Sequence, residues 1–225
     1  MKAVWYMLVH PVEAYRIIEE KRPLFWPLVI IVLPGLAVLA VLLPQMQADL
    51  LQTVAPEVQG EMGQEGTSYL GTVGIISGVI GLFVSVLVVT LLEAGVTALF
   101  LALGASAIPF RTLFSLSILS SAPSILQSLL QLLLLSLGLV TWKTLQISTN
   151  LAGLLDLDPA AASPWLYTLL VSLDPFTLWG LALFAGGLGF IGKVSPRARW
   201  TIAGLLWIIF TVVPNWFSRG MGGPL

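Results

Sequence analysis

One carboxylate, Glu93, lies inside an apolar stretch of 34 residues, 71–104, with Thr90 and Thr97 flanking it at helical spacing. Five more polar residues, Ser117, Ser120, Ser124, Gln127 and Gln131, recur at steps of 3, 4, 3 and 4 in the next apolar stretch. On a helix that spacing lines one face. A carboxylate opposite a ladder of hydroxyls and amides can relay a proton or hold a small polar solute. The same groups can also clasp two helices together, because interhelical hydrogen bonds are common glue in membranes. Burying a central acid costs about 2.5–3.5 kcal/mol on insertion scales, so Glu93 must face protein or water. On a continuous helix it sits about 16 Å from the end at Gly104, level with Ser120 to Gln127. If the span ends earlier, Glu93 instead reaches the headgroups beside Arg111.

The remaining chemistry-bearing residues point to structure. His10 is the single histidine and cysteine is absent, so sites needing two histidines or any thiolate are excluded. Asp156 and Asp158 are spaced like a cation-binding carboxylate pair, but they precede Pro159, where turn chemistry explains them. Asp174 before Pro175 reads as a helix cap. Glu19 to Arg22 form a charged run at the headgroups. No nucleophile–base pair can be named, so an enzyme is not expected, and no cofactor or metal is called for.

These residues need helices in lipid to position them. The chain of 225 residues is 57% hydrophobic and only 9% charged, with a mean hydropathy of +0.98. A soluble domain carries about a quarter charged residues, so lipid must cover most of this surface. The net charge of -1 and the lack of a basic stripe give nucleic acid nothing to bind.

The pattern predicts an all-α integral membrane protein with five transmembrane helices, at about 24–44, 71–104, 112–140, 174–192 and 200–217. The first contains Pro34-Gly35 near its middle and should kink there. Residues 45–69 form a polar connection with Asp49, Glu57, Glu61 and Glu65. The second is longer than a ~30 Å core requires, so it must tilt or project. Its small residues Gly71, Gly74, Gly78, Gly81 and Ser85 step by 3, 4, 3 and 4, which predicts a face where another helix packs closely. Pro123 interrupts the third. Ahead of the first lies an interfacial helix opening at Pro11, with Tyr15 and Ile18 turned to lipid and Trp5 and Tyr6 in the aromatic belt. Ser163-Pro164 starts a short extramembrane helix, too brief to span.

Loop charges orient the spans. One side receives Lys2, Arg16, Lys21, Arg22, Arg111, Lys193, Arg197 and Arg199, and the other only Lys143 and Arg219. The positive-inside rule therefore predicts a cytoplasmic N-terminus and an external C-terminus in a plasma (inner) membrane.

The order of these signals resembles a known family. HPVEAYRIIEEKRPLFWP before the first span, PFRTLFSLSILSSAPSILQSLL at the third, and LDPFTLWGLALFAGGLGFIGKVSPRARWTIAGLLWIIF near the end resemble bacterial members of the YIP family. These are small five-span proteins named after the Ypt/Rab-interacting proteins of eukaryotes. The resemblance implies one membrane domain over 1–225, a cytoplasmic N-terminus and no transferable catalytic residue. Rab GTPase binding is not implied, since 23 residues precede the first span and no Asp-Leu-Tyr-Gly-Pro-type motif is present. The leading expectation is a non-enzymatic membrane-organising or scaffold protein. Its partners are the bilayer and either a second copy or another membrane protein. The rival is a small transporter or channel component built on Glu93 and the polar seam.

Overall fold

Two long helices, α3 (Phe25–Thr53) and α4 (Pro56–Leu103), run back to back as an antiparallel hairpin. A Cβ on Gly35 would sit 3.1 Å from Leu82, and one on Gly78 would sit 2.8 Å from Leu39. Both pairs belong to one antiparallel register, in which small residues let the other helix's leucines approach. The computed structural model describes residues 2–53, 56–104, 107–141, 145, 149–157 and 162–215, with side chains outside 47–72 and 75.

The hairpin corrects the reading of residues 45–69 as a loop, because the described part of this segment is helical. Its residues include strong helix formers such as Gln, Met, Leu and Glu, so the helices continue past the apolar segment that seeds them. The membrane-suited parts are Phe25–Met46 in α3 and Ile76–Leu103 in α4. At 48 residues α4 is about 72 Å long and projects well beyond a bilayer core. The α3 helix continues through both Pro34 and Pro44, although neither can donate a backbone hydrogen bond.

The third span is divided into α5 (Phe110–Ser120) and α6 (Pro123–Ser136). Pro123 has no N–H for the carbonyl one turn back. The chain compensates with a tight turn, in which Ser121 N donates to Ile118 O and Ala122 N to Leu119 O. The Ser121 hydroxyl then donates to Ser117 O at 3.2 Å. Side chains of this kind re-satisfy backbone groups freed by a break inside a membrane.

After the short α7 (Leu151–Leu154), α8 (Pro164–Ser172) and α9 (Pro175–Ile191) form a pair bent by 59°. Among the described residues, four helical segments are long and apolar enough to cross a membrane, and the count is five when this pair is one broken span. Asp174 caps α9 by accepting from Phe176 N and Thr177 N, both at 2.9 Å. Ser163 precedes Pro164 as expected, but its side chain makes no capping bond to α8. The last span, α10 (Pro196–Trp207), passes into a π-helical turn at Ile208–Val212.

The N-terminal segment forms two helices, α1 (Lys2–Val9) and α2 (Pro11–Lys21), and Pro11 opens the second. The expectation that Tyr15 and Ile18 face lipid is corrected, since both are buried against the bundle. The Tyr15 hydroxyl donates to Leu183 O of α9 at 2.7 Å. A Cβ on Gly186 would come within 2.7 Å of that hydroxyl, so the bare glycine admits the ring. Burial pushes the Tyr15 hydroxyl up to about 12, against a smaller opposing effect of the Arg199 guanidinium. The main core joins α1 and α2 to α5, α9, α10 and the C-terminal half of α4, around Met7, Ile18, Leu116 and Leu188. Ser115 Oγ donates to Pro23 O at 2.8 Å, which ties the start of α5 to the entrance of α3.

Candidate functional site

Glu93 faces inward from α4 and accepts a hydrogen bond from the Ser117 hydroxyl of α5. This contact borders a cavity of about 170 Å³, several times the ~30 Å³ share of one liquid water. Ser117, Ser120, Ser124 and Gln127 all line it with Glu93. The polar seam and the carboxylate therefore share one space, and the Pro123 break lies in its wall. Burial leaves Ser120 only 4% exposed, and its hydroxyl has no hydrogen-bond partner among the described residues.

Three of the sequence-selected residues lie elsewhere. Thr90 is one turn away, where its hydroxyl donates back to Val86 O and Leu87 O at 2.7 and 3.1 Å. Thr97 is fully buried, with an unpartnered hydroxyl. Gln131 continues the seam along α6 but is not among the lining residues.

The opposite wall comes from α9 and α10, through Phe176, Thr177, Gly180, Trp207, Phe210 and Thr211. Phe210 and Thr211 belong to the π-helical turn. Such turns are single insertions that commonly sit at functional sites. Here the π turn and the proline break flank the same cavity. Sequence reasoning missed this wall because its polar residues are isolated within apolar helices. The proline and glycine clusters were the available signal.

A second polar cluster is attached to the same wall. Asp174 Oδ2 accepts from the Thr149 hydroxyl at 2.7 Å and from Gln127 Nε2 at 3.1 Å. Gln127 Nε2 also donates to Thr149 Oγ1 at 2.9 Å. Asp174 is thus both the α9 cap and a junction joining α6 to residue 149. Nearby, Trp207 Nε1 donates to Ser172 O at 3.0 Å, holding α10 against the end of α8.

The glycine ladder of α4 divides. Gly78 abuts Leu39 of α3, whereas a Cβ on Gly74 or Gly81 would meet nothing within 4 Å. Gly71 lies in α4 with surroundings outside the described side chains, and Ser85 is exposed. Closer glycine contacts occur on α9, where a Cβ on Gly187 would collide with Leu116. Asp156 sits in a left-handed turn after α7. Asp158, Lys143, Arg219 and the end of the last predicted span at 216–217 are outside the described residues.

The sequence matches the family model described as the Yip1 domain over residues 5–217. The chain belongs to the Yip1 family. The match takes in both walls of the cavity, from Glu93 to Thr211, so the cavity is lined by the Yip1 domain itself. Membership also agrees with the apolar helices in identifying a membrane protein. No curated protein and no solved structure matches the chain.

Proposed function

We propose that this Yip1-family protein is a non-enzymatic membrane organiser that acts through helix contacts in the plane of the bilayer. The observation that carries this reading is the outer face of α4. Only 11% of its membrane-suited segment is buried within the chain, the smallest share of the four. That face combines Gly74, Gly81 and Ser85 with exposed apolar residues such as Ile80 and Val84. Small residues at this spacing allow close backbone approach, which is what favours helix association in lipid. The occupant of this face is a transmembrane helix of another chain, whether a second copy or a different membrane protein.

The non-enzymatic part rests on chemistry. Glu93 is the single titratable group among the described cavity-lining residues, so no acid–base pair converges among them. Rab GTPase binding is not part of the reading. The order of the spans puts the N-terminal helices, Arg111, Lys193, Arg197 and Arg199 on one side, and the positive-inside rule supports a cytoplasmic assignment for that side.

The test is affinity purification in mild detergent of the wild type beside a Gly74→Leu, Gly81→Leu double variant. The reading expects a membrane protein, or a second tagged copy, to be retained by the wild type and lost from the variant. Retention of the same set by both would count against it.

A further inference from the structure

The cavity brings one carboxylate together with amide and hydroxyl groups. Gln127 Nε2 directs one hydrogen between Thr149 Oγ1 and Asp174 Oδ2, which are themselves 2.7 Å apart, and its Oε1 remains an acceptor. The Ser117 and Ser121 hydroxyls donate to Glu93 and to Ser117 O. Trp207 Nε1 is committed to Ser172 O. Some of the wall's donors are thus used elsewhere. An occupant meets the second oxygen of Glu93, the Gln127 carbonyl and the hydroxyls of Ser120, Ser124, Thr177 and Thr211.

The charge is unbalanced. Among the described residues, no lysine, arginine or histidine lines the cavity to meet Glu93. An unpaired carboxylate at membrane depth is costly, and an arriving cation would supply the missing partner. The facing wall selects among cations. Phe176, Phe184, Trp207 and Phe210 line it. Aromatic faces attract ammonium groups but cannot replace the oxygen shell of a strongly hydrated metal ion.

We propose that the cavity binds an organic ammonium group, paired with the Glu93 carboxylate and packed against Trp207 and Phe210. A free alkylamine and the ethanolamine headgroup of a phospholipid both present this chemistry. The site goes beyond lateral association and does not depend on it, since it lies between α4, α5, α6, α9 and α10 and away from the outer face of α4.

The test uses the full chain purified in detergent and follows thermal unfolding during titration with ethylammonium chloride or, at matched ionic strength, sodium chloride. Wild type should show a saturable upward shift with ethylammonium that sodium does not reproduce. Glu93→Gln preserves the acceptor for Ser117, and it should weaken ethylammonium binding at least about tenfold, as loss of one charge-assisted contact implies. Phe210→Leu should weaken it too while leaving the carboxylate in place.

A second arm places the protein in phosphatidylglycerol nanodiscs with or without phosphatidylethanolamine and reads retained lipid by native mass spectrometry. Phosphatidylethanolamine that is retained, displaced by ethylammonium and lost in Glu93→Gln identifies a headgroup ligand. Ethylammonium binding without such retention identifies a free amine. The proposal is overturned if wild type shows no saturable ethylammonium shift or if sodium gives the same shift. Equal binding by a folded Glu93→Gln variant would overturn it as well. Should either variant fail to fold, the comparison of ethylammonium with sodium on wild type still decides.

Discussion

Gly180 of α9 lies so close to Ser120 of α5 that a Cβ on the glycine would stand 2.9 Å from the Ser120 carbonyl oxygen. Both residues line the Glu93 cavity. The obstacle is backbone, which cannot swing aside as a side chain can. Gly180→Ala is therefore expected to destabilise the fold by about 1–3 kcal/mol, the usual cost of overpacking. Thermal unfolding in detergent checks this, and an unchanged midpoint would show that the α5–α9 contact is looser than described.

Asp174 serves two structures at once, and its loss should cost more than a cap. Removing an N-cap typically costs about 1 kcal/mol. Asp174→Ala also strands the buried Thr149 hydroxyl, worth about 1–3 kcal/mol more, while the Gln127 N–H keeps Thr149 Oγ1 as acceptor. Asp174→Asn keeps an acceptor and should fall between the alanine variant and wild type. Denaturant or thermal unfolding of the three proteins gives the order.

Docking of the N-terminal helices should be lost in alkali. The Tyr15 hydroxyl titrates at about 12 in the folded chain, above its ordinary 10.0, because burial disfavours the phenolate. A folded-state value above the unfolded one contributes stability that is complete below the unfolded value. That stability is lost as pH rises through the folded value, so the window is roughly pH 10 to 12. Tyr15→Phe removes the hydrogen bond to Leu183 O, at about 1 kcal/mol, and should flatten this part of the pH profile. Limited proteolysis of the N-terminal segment across the window compares the two proteins.

The meeting of Glu93 with Ser117, Ser120, Ser124 and Gln127 was legible because its signals are local and periodic. A polar residue every three or four positions in a leucine-rich helix has one place to go, and Pro123 marked the break beside it. The other wall was not legible. Thr177 and Thr211 are single polar residues on apolar helices, and Gly180 matters only because Ser120 happens to oppose it. The docking of α2 depends on Tyr15 and Leu183, which are 168 positions apart and share no local pattern. Residues 45–69 were misread because polarity marks where lipid ends, and a helix can continue into water. The glycine ladder of α4 carried the right spacing for a packing face, yet only Gly78 among its described members meets another part of the chain. The closest glycine contacts fall on α9, where the spacing is less regular.

If the outer face of α4 meets protein in the membrane, a label placed there reports it directly. The absence of native cysteine permits single-cysteine or photoreactive labels at chosen sites without background. A photocrosslinker at residue 81 should yield a defined protein adduct in intact membranes. The same label at Leu133, an exposed apolar position on α6, should capture lipid alone. Lipid alone at both positions would contradict such a contact.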